Sequence, residues 1–140
     1  MIFYQSHMKL NFDGTGTGGT LMGTSRVLKM YNHLMKVVAV EPAESPVMSG
    51  GQAGLHGIQG IGDGSKFLVD LKEVDDIMII STEEAKERAR RLAKEQGLFV
   101  GISSGANILA SERLLEKYPE MEGNIITILC DRGERYLSCF

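Results

Sequence analysis

The sequence predicts an α/β domain built on a parallel sheet of about five strands with flanking helices. Three observations carry that expectation. Short apolar runs alternate with helix-period segments, the pattern of parallel strands joined by helical crossovers. Two of these runs, Val37-Val38-Ala39-Val40 and Ile77-Met78-Ile79-Ile80, are continuously apolar, as strands covered on both faces are. A glycine-rich turn, Gly14-Thr15-Gly16-Thr17-Gly18-Gly19-Thr20, feeds a helical pattern, which is where α/β proteins place an anion-binding loop.

Taken in order, Met1 to Met8 show no clear periodicity, and Lys9 to Asp13 alternate as a short half-buried strand would. Leu21, Met22, Ser25, Leu28 and Met35 are spaced for an amphipathic helix that stops near Asn32. A strand Val37–Glu41 ends at Pro42. From Ala43 to Lys66 the chain is rich in Gly, Ser and Pro, and a loop of that length is expected to border a binding site. After the strand at Ile77–Ile80, Ser81-Thr82-Glu83-Glu84 offers a capping box for a helix that ends at Gly97. Leu98–Ile102 reads as a fourth strand, Ala106–Tyr118 as a third helix, and Asn124–Cys130 as the last strand.

With 140 residues, 43% of them hydrophobic and 24% charged, the chain has the make-up of one globular domain. A net charge of −3 with interleaved signs leaves no basic face for nucleic acid and no polybasic membrane patch. Cys130 and Cys139 show no metal-like spacing with His7, His33 or His56, and are expected to be reduced, buried or idle thiols. Met1 to Leu10 hold too few consecutive apolar residues for a signal peptide or a membrane span, so a cytoplasmic setting is expected.

Ligands of parallel sheets bind beyond the carboxyl ends of the strands. That rule groups the Gly14–Thr20 turn, the loop after Glu41, Ser103-Ser104 and Asp131-Arg132-Gly133 around one site. Two ligand classes fit the turn. Gly14-x-Gly16-x-x-Gly19 matches a dinucleotide fingerprint, with Glu41 placed where a ribose-binding acid belongs. Alternatively, the hydroxyls of Thr17 and Thr20 and the loop amides wrap a single phosphate monoester. A tight turn without a ligand is the third reading, and Ser103 taken alone reads as a helix N-cap. No nucleophile elbow or triad context surrounds any serine or histidine.

Gly14 to Leu21, Val40-Glu41-Pro42-Ala43-Glu44-Ser45-Pro46, Ile58-Gln59-Gly60-Ile61-Gly62, Gly101-Ile102-Ser103-Ser104-Gly105-Ala106 and Arg132 to Ser138 stand in an order that resembles the C-terminal part of cysteine synthase (O-acetylserine sulfhydrylase). This is a fold-type II pyridoxal-phosphate enzyme family that also includes cystathionine β-synthase. The resemblance runs from about Gly14 onward, leaving residues 1–13 as an atypical leader to one pyridoxal-phosphate-binding domain. It implies the large cofactor domain of a tryptophan synthase β-like fold. It also implies that Gly16, Thr17, Gly18, Gly19 and Thr20 hold the phosphate of pyridoxal 5'-phosphate, that Ser103 bonds the pyridine nitrogen, and that Gly60 borders the amino-acid substrate. The implied reaction is β-replacement, giving L-cysteine from O-acetylserine or a related activated serine and sulfide. In that light Glu41 belongs to a family turn rather than to a ribose contact.

The family's Schiff-base lysine and its substrate-carboxylate loop lie in the N-terminal half, and none of the lysines from Lys9 to Lys117 falls in a matching stretch. No catalytic residue is therefore assigned. The expectation is a truncated or split cysteine synthase, inactive alone, whose exposed surface is covered by a missing N-terminal half or by self-association into a homo-oligomer. A non-catalytic phosphate- or cofactor-binding module and a dinucleotide-binding domain are the alternatives.

Overall fold

The structure, a computed structural model, describes residues 8–65, 67–120 and 123–139, with side chains described from residue 14 onward. Residues 1–7 of the expected leader, and Lys66 at the end of the expected loop, lie outside the described residues.

Four parallel strands form the sheet: β1 (Met8–Gly14), β2 (Lys36–Pro42), β3 (Asp76–Ile80) and β4 (Asn124–Ile126), in the order β3-β2-β1-β4. Lys9–Asp13, expected as a short half-buried strand, is thus part of a central strand paired on both edges. Alternate residues of β2 feed two cores. Val38 and Val40 join Ile58, Ile61, Ile80, Ile102 and Leu114 in one, while Val37 and Ala39 join Leu21, Met22, Met48 and Val69 in the other. This is why the run is apolar throughout: neither face of the strand meets water. Each fully buried Val, Leu or Ile contributes about 1.5–3 kcal/mol from its transfer out of water.

Helix α1 (Gly19–Tyr31) covers the second core, and α2 (Thr82–Gln96) and α3 (Ile102–Lys117) pack against each other beside the first. The capping box of α2 is complete: the Ser81 hydroxyl accepts from the Glu84 amide, and the Glu84 carboxylate accepts from the Ser81 amide. Gly97 closes the helix in the left-handed conformation, at φ 70°. The helix pair is joined by Arg88, which is 7% exposed and donates to the Glu112 carboxylate at 2.6–3.1 Å.

Three expectations are corrected. Among the described residues the sheet has four strands rather than about five, because Leu98–Ile102 forms no strand. Leu98 and Phe99 remain partly exposed, Val100 makes a single antiparallel bridge to Arg132, and Gly101 already caps α3. That helix begins at Ile102, four residues before its expected start, so Ser103 and Ser104 lie in its first turn and neither is its cap. The last strand is also shorter than expected, ending at Ile126. The Ile128 carbonyl accepts from the Asn107 side chain at 2.9 Å, which draws the chain toward α3 and out of the sheet ladder.

Candidate functional site

Glycine residues shape the turn between β1 and α1. Gly18 is the N-cap of α1 at φ 83°, a left-handed conformation, and a side chain there would also overlap Val69. No side chain caps the helix, so its first amides stay available and its positive dipole end faces outward. Thr15 holds the base of the turn. It is buried, donates through both its amide and its hydroxyl to the Val40 carbonyl at 3.1 Å, and accepts from the Gly62 amide at 3.0 Å. Thr17, Gly19 and Thr20 are exposed at the rim.

A cavity of about 510 Å³ lies against this turn. Its wall is assembled from four separate stretches: Gly14 to Leu21, Gln59 to Asp63, Ser103, and Cys130 to Tyr136. Gly16, Thr17, Gly18, Gly19, Thr20, Gly60 and Ser103, the positions singled out in the sequence, all line it. Ser103 is 6% exposed, and its hydroxyl makes no hydrogen bond among the described residues, which leaves it for a ligand. A second cavity of about 600 Å³ is built from the 53–64 loop alone and shares Gln59, Gly60, Ile61 and Asp63 with the first.

Asp131 and Tyr136 close the Ser103 end. The Tyr136 hydroxyl donates to the Asp131 carboxylate, and that bond, with burial and the carboxylate charge behind it, pushes the phenol up to about 12. The segment is strapped to the start of α3 by Gly101 N–H to the Asp131 carbonyl at 3.0 Å and by Gly133 N–H to the Phe99 carbonyl at 3.1 Å. Arg135 brings a positive charge to a cavity that also holds Asp63 and Asp131.

Gln59, Arg135 and Tyr136 were not singled out as site residues in the sequence, although they stand in stretches that carry the resemblance. Cys130 is corrected: it is exposed and lines the cleft, while Cys139 is half-buried. Glu41 stands in a turn, as the resemblance implied, and not at a ligand. It is 1% exposed, and its carboxylate accepts from the amides of Met48 at 2.8 Å and Ser49 at 2.9 Å and from the Ser49 hydroxyl. A carboxylate consumed by its own loop has no face left for a ribose, which removes the basis of the dinucleotide reading.

The donor set fits pyridoxal phosphate. An uncapped 13-residue helix with glycines at its head suits a phosphate, and the Ser103 side chain lining the same cavity suits a ring nitrogen. The cavity volume of about 510 Å³ is ordinary for a small-molecule site.

The chain matches the family model described as pyridoxal-phosphate dependent enzyme over residues 7–131. It is 47% identical over 126 residues to cysteine synthase B of Campylobacter jejuni, covering 89% of this chain and 41% of that protein. Among solved structures, O-acetylserine sulfhydrylase isoform 3 from Entamoeba histolytica superposes with a TM-score of 0.88 at 44% identity, over 94% of this chain and 40% of that one. The O-acetylserine-dependent cystathionine β-synthase of Helicobacter pylori gives 0.86 at 37% identity, over 94% of this chain and 43% of that one. The chain therefore spans about 40% of the length of these relatives. No helix among the described residues is long and apolar enough to cross a membrane. By its fold, its phosphate-type turn and these matches, the chain belongs to the family of pyridoxal-phosphate-dependent enzymes, with cysteine synthases among its relatives.

Proposed function

We propose that this chain forms the phosphate and ring side of a cysteine synthase site. Gly16, Thr17, Gly18, Gly19 and Thr20 hold the phosphate through helix amides, loop amides and hydroxyls. Ser103 bonds the pyridine nitrogen, and Gly60 with its neighbours borders the amino-acid substrate. When bound, pyridoxal phosphate supplies the electron sink for β-replacement on an activated serine by sulfide. A neutral hydroxyl at the ring nitrogen leaves that ring less protonated than a carboxylate would. The observation that carries the reading is that Ser103, whose hydroxyl makes no hydrogen bond among the described residues, shares one cavity with the uncapped head of α1.

The complete reaction needs a lysine-bearing half, from a separate chain or from further sequence of the same protein. We place the assembled enzyme in the cytoplasm as a homo-oligomer. Exposed apolar residues such as Met30, Tyr31 and Leu34 belong to the surface such an assembly would cover.

The test is visible circular dichroism of the mass-verified chain titrated with pyridoxal phosphate, since the free cofactor is achiral. A saturable induced signal, competed by inorganic phosphate, supports the half-site. Far-UV spectra of a folded chain with no induced signal would overturn it.

A further inference from the structure

His56 has no part in the site as described so far, yet both of its ring nitrogens are engaged. The Ile58 amide donates to Nδ1 at 3.3 Å, and Nε2 lies 3.0 Å from the Gly62 carbonyl oxygen. A backbone N–H only donates and a carbonyl only accepts, so the two contacts assign the tautomer: Nδ1 is bare and Nε2 carries the hydrogen. One imidazole therefore ties together both ends of the turn whose middle, Gln59-Gly60-Ile61, is a wall of the cleft. The turn is also strapped from outside. The Gly57 amide donates to the Thr82 hydroxyl at 2.9 Å, and the Gly62 amide to the Thr15 carbonyl at 3.0 Å.

We infer that His56 is a positioning residue that secures the Gln59-Gly60-Ile61 wall only while its imidazole is neutral. A second proton goes to Nδ1, where it meets the Ile58 N–H donor to donor. That bond is lost while the Gly62 bond survives, so one end of the turn is released. The charged groups on the elements around the turn are Asp63 on the same loop, Lys86 and Glu83 near Gly57 on α2, and Glu44, which accepts from the Thr82 amide. The inference concerns the chain's own loop and holds whatever ligand the cleft takes, so its failure would leave the proposed function standing.

Amide hydrogen exchange of the chain, corrected for intrinsic pH dependence, tests it. Between a pH at which the imidazole is neutral and a lower one at which it is charged, protection of the Ile58 amide is expected to fall. The expected fall is about fivefold, the worth of one ordinary hydrogen bond. Val38 and Val40 in β2 are expected to hold their protection. His56→Gln keeps an N–H for Gly62 but does not titrate, so its Ile58 protection is expected to be the same at both pH values. No fall in the natural chain, or an equal fall in the variant, overturns the inference. If the variant does not fold, nitrogen-15 NMR of the natural chain decides. Hydrogen on Nδ1 at neutral pH overturns it; hydrogen on Nε2, with an Ile58 amide shift that follows the imidazole titration, supports it.

Discussion

Gly16 lies directly against the main chain of Gly60: a Cβ on Gly16 would overlap the Gly60 carbonyl oxygen. Two loops far apart in sequence thus meet backbone to backbone at the cleft. Gly16→Ala is expected to push the Gly60 wall outward, costing about 1–3 kcal/mol, as overpacking does, and to abolish the induced cofactor signal. At Gly19 the nearest atom to a built Cβ is the Thr17 hydroxyl at 3.6 Å, so Gly19→Ala is expected to leave stability near that of the natural chain. Urea unfolding of the two variants side by side checks the contrast.

Ser103 separates binding from folding. Its hydroxyl makes no hydrogen bond among the described residues, so Ser103→Ala is expected to change stability by less than about 0.5 kcal/mol. Affinity for pyridoxal phosphate is expected to fall about fivefold, one net hydrogen bond. Unfolding curves and the cofactor titration read the two effects independently, and a large loss of stability would count against a ligand-facing hydroxyl.

The Arg88–Glu112 pair joins α2 to α3, with Arg88 buried and Glu112 partly open to solvent. Glu112→Ala is expected to cost about 1.5–3 kcal/mol, since it leaves a buried guanidinium with only the looser 4.0 Å contact to Glu95. Denaturant unfolding measures it. The same substitution at Glu73, the exposed partner of Arg26, is expected to cost less than the change at Glu112.

Stability should decline at both ends of the pH scale. The Glu84 carboxyl is held below its ordinary 4.5 by the Ser81 hydroxyl and amide and by Arg113. Burial opposes ionisation of Asp76, but the bonds from Lys117 and Tyr118 outweigh it and hold the carboxyl below 3.8. Groups lowered on folding stabilise the fold above their unfolded values, and that contribution is lost as pH falls through the folded ones. Tyr136 works in the opposite sense. Raised from 10.0 to about 12, it contributes fully below pH 10, and its contribution fades as pH climbs toward 12. Thermal melts across pH check both limbs, and Tyr136→Phe is expected to remove the alkaline one.

What the sequence revealed depended on how local the cause was. The capping box at Ser81–Glu84 and the uncapped glycine head of α1 are set within a few residues, and both stand where the pattern placed them. The same holds for β2, whose unbroken apolar run reports a strand covered on both faces. Leu98–Ile102 is apolar too, but its strand-type pairing among the described residues is one bridge to Arg132, and no local pattern reports how far a pairing extends. The strand-end rule gathered Gly60 and Ser103 beside the glycine turn. Arg135 and Tyr136 reach the cleft through the straps between Gly101, Phe99 and the 131–133 segment, contacts made across some thirty residues of chain.

The order β3-β2-β1-β4 has a kinetic consequence. β1 and β4 stand more than a hundred residues apart in the sequence, yet one edge of β1 is filled by Asn124–Ile126. Joining them closes a loop that contains every other strand and all three α-helices, so the pairing is of high contact order and its chain-entropy cost falls due before the ladder returns anything. Until then β1 shows one open edge. That edge can recruit another extended segment, which makes slow, concentration-sensitive refolding the expected behaviour of this chain.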